Sequence, residues 1–223
     1  MPRAKSKTLG EARRPGRPEG QTNLSEGILD AAEVLFAEQG YAGTTLRQVA
    51  EKLDANAAMI AYYFKNKDNL FREVFTRRGH AISDDRMKRL AALKARGDYD
   101  LRDLVAAFIE PAADLFHDAQ GRAFLRLHAR MHMEPADLSF ELRRIVYNES
   151  TRAYANAFAE LLPQMPLRDV YQRVTLLIGA YLYAFSGTSR LDELLIEGND
   201  DSIKGLLEST IAFGTAGMCS RSS

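Results

Sequence analysis

The stretch TTLRQVAEKLDANAAMIAYYFKNK, residues Thr44 to Lys67, constrains the fold more than any other part of this chain. It reads as two short helices whose connection is too brief for anything but packing across each other. Thr45 with Gln48 three residues on is a capping box, which satisfies free amides at a helix start. Leu46, Val49, Ala50 and Leu53 then recur at helical spacing, with Arg47, Gln48, Glu51 and Lys52 on the opposite side. Asp54 and Ala55 form the turn, and Asn56 caps a second helix anchored by Ile60 and Phe64. That leaves Ala57, Ala58, Met59, Tyr62 and Tyr63 facing outward.

A helix-turn-helix of this shape offers the first turn of its second helix to the major groove of duplex DNA. Ala57, Ala58 and Met59 are small or pliable enough to meet thymine methyls and the base edges around them, and Asn56 can hydrogen-bond to a base or a phosphate. So few polar readers predict modest direct base discrimination. The competing reading is a helical hairpin buried in a core, with the same residues turned inward.

The flanks decide for the first reading. Upstream, SEGILDAAEVLFAEQGYAGTT carries Ile28, Leu29, Ala32, Leu35 and Phe36 on one stripe and has Gly40 as a helix stop. Downstream, KNKDNLFREVF opens a further helix. From about Ser25 to Arg78 the chain resembles the TetR family of transcriptional regulators. It departs from the family at Asp54, where the turn usually has Gly, at Ala58, where Gly is frequent, and at Ala61, where many members have Tyr. Asp tolerates a left-handed backbone better than most residues, so the turn is expected to survive. The resemblance implies Thr44 and Lys67 as phosphate anchors, Tyr62 and Tyr63 as backbone contacts, Ala57 and Ala58 as the groove-facing pair, and Arg47 as a base contact from the first helix. Thr45 joins this surface at its rim. Lys67 has an independent rationale, because amides and a cation at a helix start together favour a phosphate.

Residues 1–24 form a separate arm, rich in Gly, Pro and basic residues, without apolar periodicity and expected to be disordered alone. Within it, Arg14-Pro15-Gly16-Arg17-Pro18 matches a single AT-hook core, a flat peptide suited to a narrow A·T minor groove. Tethered to a major-groove reader, Arg14 and Arg17 gain from high effective concentration. An unspecific electrostatic tail is the alternative. Residues 1–79 hold 13 Lys and Arg against 10 Asp and Glu, so the zero net charge of the chain conceals a basic head and an acidic remainder. This small surplus is insufficient for tight duplex binding by one copy, since affinity follows the number of phosphates neutralised. Two copies are therefore expected. The lone Cys219 excludes an internal disulfide and fits a cytoplasmic protein, and no apolar run is long enough to span a membrane.

The predicted fold class is all-α: a three-helix DNA-binding domain over 25–79 and a helical effector-binding and dimerisation domain over 80–223. Beyond Lys67, helices are expected at about 67–95, 101–118, 120–133, 137–162, 167–188 and 201–218. Asn66, Asp100 and Asp137 serve as caps, and Pro111 kinks or restarts its helix. The last two helices are apolar on more than one face. The two-fold four-helix bundle usual in the TetR family then places Leu177, Tyr181, Phe185, Leu207 and Ile211 at a dimer interface; burial within one protomer is the other possibility. Two recognition helices related by a dyad would read half-sites of a palindrome about 34–36 Å apart.

In the middle helices, Phe108, Phe116, Phe124, Leu125, Met131, Met133, Tyr147, Tyr154 and Phe158 suit an apolar guest, or simply a core. Arg126, His128, Arg130 and His132 add polar groups, of which one or two can receive a carboxylate. The stretches FLRLHARMHMEPADLSFELRRIVYNES and GAYLYAFSGTSRLDEL resemble the sensor domains of TetR-type regulators of fatty-acid metabolism. A small lipophilic effector, a fatty acid or acyl-CoA, is the implied ligand, with Phe108, Phe124, Arg126, His128, Met131, Tyr154 and Phe158 around it. His128 and His132 stand four apart near Glu134, but without Cys pairs or a third firm ligand they predict no metal site. No phosphate loop, nucleophile elbow or acid pair points to an enzyme, and no cofactor is implied. The expectation is a repressor that binds an operator as a homodimer; the alternative is an architectural DNA binder without an effector.

Overall fold

Helix starts in this protein are written locally, by side chains that accept the first free amides. In the computed structural model, which describes residues 19–187, 193–194 and 203–219, Thr45 accepts from the Gln48 amide at 3.2 Å while the Gln48 side chain accepts from the Thr45 amide at 2.8 Å. Asn56 accepts from Ala58 N at 2.8 Å, Asn66 from Asn69 N at 2.8 Å, and Asp100 from Asp103 N at 2.9 Å. The arm bearing Arg14 and Arg17 lies outside the described residues, as does the Gly198-Asn199 joint.

Ten helices follow among the described residues, and no strand. They are α1 Glu19–Gly43, α2 Leu46–Lys52, α3 Ala57–Phe64, α4 Lys67–Arg96, α5 Leu101–Ala113, α6 Ala119–Arg130, α7 Ala136–Val146, α8 Asn148–Leu161, α9 Leu167–Ala184 and α10 Ile203–Cys219. Several boundaries differ from expectation. α1 begins at Glu19, within the stretch assigned to the arm. The helix expected over 137–162 is two, divided at Tyr147, whose φ of −116° and ψ of −18° break the ladder. Asp137 caps nothing: Pro135 occupies the cap position of α7, and Asp137 sits in the first turn, where its charge complements the helix dipole. Asp118 caps α6 instead, accepting from Gly121 N at 2.6 Å. Pro111 stays inside α5, which ends two residues later and tightens into a 3-10 turn over Asp114–His117. Proline lacks the amide that would reach the Ala107 carbonyl, and the Tyr154 hydroxyl, shared between Arg86 O at 2.9 Å and Ala107 O at 3.1 Å, lies there in its place.

Two positive-φ residues shape the head. Gly40, with φ 73° and ψ 177°, kinks α1; a Cβ there would collide with the Arg130 guanidinium and lie 3.1 Å from Glu134 Oε1. Asp54 takes φ 52° in the turn between α2 and α3. Because left-handed backbone strains every residue with a Cβ, Asp54→Gly is expected to stabilise the protein by up to about 1 kcal/mol. A higher denaturation midpoint at unchanged cooperativity checks it.

The helices close over two apolar cores. The first joins α1, α2, α3 and the first half of α4 to α6 and α7, through Phe36, Phe71, Phe75, Phe124 and Leu142. The second lies among the end of α4, α5, α8, α9 and α10, around Phe108, Tyr154, Phe158 and Tyr181. Helices α4 and α6 contribute to both, so the head rests directly on the remainder rather than on a linker. Polar ties reinforce this junction. Arg72 binds Glu141 with two hydrogen bonds, at 2.6 and 3.3 Å, and Arg77 and Arg78 of α4 converge on the fully buried Glu33 of α1. Burial pushes the Glu33 carboxyl above the usual range, against the pull of the two arginines. Among the described residues, no helix is long and apolar enough to cross a membrane.

Candidate nucleic-acid interface and sensor core

Helices α2 and α3 present an exposed edge built from the predicted residues, with two exceptions in how they are used. Tyr62 is 78 % exposed, meets Tyr63 edge-to-face at 5.5 Å, and stands free of the core; Ala58 and Met59 are also exposed. Ala57 and Tyr63 are half-buried and lean on the first core, so the outward start of α3 is Ala58-Met59 more than Ala57-Ala58. The Asn56 carbonyl oxygen is committed to its cap, which leaves the amide as its free donor. Arg47 is exposed and paired with Glu51 at 2.8 Å, a surface pair that a phosphate can outcompete. Thr45 is exposed beside it.

Thr44 corrects the expectation of a side-chain phosphate anchor. It is fully buried, and its hydroxyl donates to Gly40 O at 2.8 Å, closing the kink in α1. Lys67 is half-buried; its ammonium donates to Tyr41 O at 2.9 Å and lies 4.2 Å from the centre of the Tyr41 ring. Any phosphate contact must therefore use its remaining protons. The Tyr41 hydroxyl donates to Asp68, and burial together with that carboxylate pushes its pKa up to about 12, keeping it a neutral donor. Between α3 and α4, Lys65 adopts φ 65° and ψ −55° in a γ-turn closed by Asn66 N to Phe64 O at 2.7 Å, a strained geometry that re-aims the chain within one residue.

The predicted effector residues gather into a continuous ring stack rather than a single lining. Phe75 meets Phe124 at 5.6 Å and His128 at 5.6 Å, and His128 lies flat on Tyr147 at 4.8 Å and 11°. From there His128 approaches Tyr181 at 6.5 Å, and Phe108 approaches Tyr181 at 6.1 Å and Tyr154 at 5.0 Å. Met131 and Phe158 are buried at either end, in the first and the second core. Arg126 is not brought into this stack: two residues from His128, it falls on another, half-buried face of α6. Met133 is exposed, and so is His132, because the chain turns into a 3-10 segment at Met131; His128 and His132 therefore do not share a helical face. Burial, with Arg86 and Arg143 adding to it, pushes the His128 pKa down to about 3, so the imidazole is neutral.

Arg86 is the residue that sequence reading missed. It sits on α4 between Ile82 and Leu90, one helical turn from each, on the buried stripe, and it is 1 % exposed. An arginine at a core position of an amphipathic pattern was the available signal.

The dimer-face expectation is corrected. Leu177, Tyr181, Phe185 and Ile211 are buried in the second core of a single protomer and have no surface left for a partner. Leu207 is half-buried. The apolar residues that α9 and α10 leave outside include Leu167, Leu176, Gly179, Tyr183 and Phe213.

A three-helix head with an exposed recognition helix, resting on an all-helical sensor region, defines a helix-turn-helix transcriptional regulator. The comparisons narrow the class. Residues 28–74 match the model of bacterial regulatory proteins of the tetR family, and residues 106–217 match the tetracyclin repressor-like C-terminal domain. The chain belongs to the TetR family of DNA-binding transcriptional regulators.

Among relatives, it is 38 % identical over 50 residues to the probable regulator YttP of Bacillus subtilis, covering 22 % of this chain and 24 % of that one. It is 27 % identical over 142 residues to the regulator BetI of Paraburkholderia phymatum, covering 62 % and 67 %. A TetR-family regulator from Bordetella parapertussis has the same fold at 17 % identity, with a TM-score of 0.64 over 86 % of this chain and 94 % of that one.

Proposed function

We propose that this chain is a ligand-responsive repressor that binds a palindromic operator as a homodimer and is released by a small lipophilic effector, a fatty acid or acyl-CoA. The observation that carries the reading is the outward edge of α3, where Ala58, Met59 and Tyr62 are exposed while Ile60 and Phe64 of the same helix are buried. Pairing through Leu176, Gly179, Tyr183 and Phe213 would supply the second head. Two heads double the phosphates neutralised, which one weakly basic head requires.

Release follows from the junction. His128 near the end of α6 is followed at once by Arg130, which donates to Glu38 O at 3.2 Å, and by Glu134, which accepts from Tyr41 N at 3.1 Å. A guest that shifts α6 therefore moves the end of α1 and the start of α2, and changes the separation of the two heads. Its leverage equals its difference in affinity for the two arrangements.

Selecting bound fragments from genomic DNA, then adding lipophilic acids to the complex, tests the whole reading. Dyad-symmetric footprints lost on addition of an acid are expected; salt-sensitive binding to any A·T-rich duplex, unaffected by acids, would instead mean an architectural binder. At residue level, Tyr62→Ala should weaken operator binding about tenfold and evenly across operator sequences, with unchanged melting, since Tyr62 supports no core. Unchanged binding by gel shift would remove Tyr62 from the interface.

A further inference from the structure

The ring stack encloses a positive charge that has no counter-ion among the described residues. The Arg86 guanidinium lies 3.9 Å from the centre of the Phe108 ring, 5.3 Å from that of Tyr181 and 6.0 Å from that of Tyr147. Its Nε donates to Phe108 O at 2.8 Å, whereas its Nη2 has no partner among the described residues. Among the described residues no carboxylate pairs with it. Asp85, next to it on α4, and Glu110 of α5 are engaged by Arg89. Two more buried polar atoms in the same stack are also unpartnered: His128 Nδ1 and the Tyr147 hydroxyl.

A structural role explains only part of this. The Nε bond satisfies a carbonyl, and the flanking rings offset part of the charge. Neither uses Nη2, and a buried ion without an opposite charge is strongly disfavoured. A buried donor left unsatisfied adds to that cost. Three such groups around one set of rings form a receptor for something that is negative, accepts hydrogen bonds and tolerates apolar walls.

We propose that Arg86, with Tyr147 and His128, receives the carboxylate of a lipophilic monocarboxylic acid among the rings that surround it. One carboxylate oxygen accepts from Arg86 Nη2 and the other from the Tyr147 hydroxyl. The neutral His128, in the tautomer with its proton on Nδ1, supplies a third donor. Phe108 and Tyr181 border the charged end, and the hydrocarbon part runs along the neighbouring rings. The same charge rejects a quaternary ammonium ligand. This assignment rests on the reading of the chain as ligand-responsive, and it specifies the charge and the receiver of the effector.

Isothermal titration of the full-length protein with octanoate, dodecanoate and benzoate, against their methyl esters and dodecyltrimethylammonium, tests it. At least one acid is expected to bind about tenfold or more tighter than its ester, as charge-assisted bonds require, and Arg86→Met should abolish that difference. Tyr147→Phe, which keeps the ring stacked on His128, should weaken the acid several-fold and leave the ester unchanged; it serves as the test if the Arg86 variant does not fold. Equal binding of acid and ester, preference for the ammonium compound, or no binding of any acid overturns the assignment. Failure of the ligand-responsive reading looks different: an acid bound through Arg86 that does not release DNA leaves the receptor standing and removes its regulatory use. Release by neutral compounds alone does the reverse.

Discussion

Replacing Gly121 with alanine is expected to destabilise the protein by about 3 kcal/mol or more, the upper end of the usual cost of overpacking. Gly121 lies in the first turn of α6, where its amide donates to the Asp118 cap. A Cβ built there falls 2.7 Å from the carbonyl carbon of Leu115 and closer still to its oxygen. The obstacle is backbone, so no side-chain rotation relieves it; the 3-10 turn over Asp114–His117 must move. Leu115 packs on both cores, and moving it loosens both. For a chain of this size, about 3 kcal/mol corresponds to a melting point lower by roughly 10 °C. A Gly121→Ala protein that melts within about 2 °C of the parent would refute the close approach of α6 to that turn.

The second large effect concerns acid. His128 has a folded-state pKa near 3 against 6.5 when unperturbed, because burial and the neighbouring Arg86 disfavour its cation. Below pH 6.5 the unfolded chain takes up a proton that the folded chain refuses, so unfolding is increasingly favoured until the pH reaches about 3. The contribution to stability is present above that window and lost on descending through it, in total on the order of 5 kcal/mol. His128→Phe keeps a ring against Tyr147 and removes the titration. By urea denaturation from pH 7 to pH 4 the parent should lose stability more steeply than the variant; parallel curves would mean that His128 does not titrate in this environment.

What the sequence made legible was local. Thr45 with Gln48, Asn56, Asn66 and Asp100 announce helix starts because a cap is a contact between residues two or three apart. The left-handed turn at Asp54 was equally visible, from the tolerance of one residue type. Tertiary choices were not. Leu176 and Leu177 are adjacent and chemically identical, yet one is exposed and the other buried, and only the packing of α9 on α8 and α10 separates them. Periodicity likewise passes over the break at Tyr147, since each flanking helix keeps an apolar face, α7 toward the first core and α8 toward the second. Thr44 looked like a surface anchor because its hydroxyl's partner, the Gly40 carbonyl, becomes available only once α1 kinks. Arg86 escaped for a related reason. A single arginine among α4's many charged residues looks like solvent-facing polarity until Phe108 and Tyr181 close over it.

Helix α4 runs unbroken for 30 residues, with Lys67 beneath the recognition helix and Arg86 inside the ring stack. At 1.5 Å per residue these two points are about 28 Å apart, so pivoting α4 about Arg86 by 5° sweeps its head-ward tip through about 2.4 Å. Such a displacement is comparable to the full range of a hydrogen bond. On the ligand-responsive reading proposed above, a small tilt at the ring stack is thus geared up into a shift that duplex grooves, with their fixed pitch, would not accommodate.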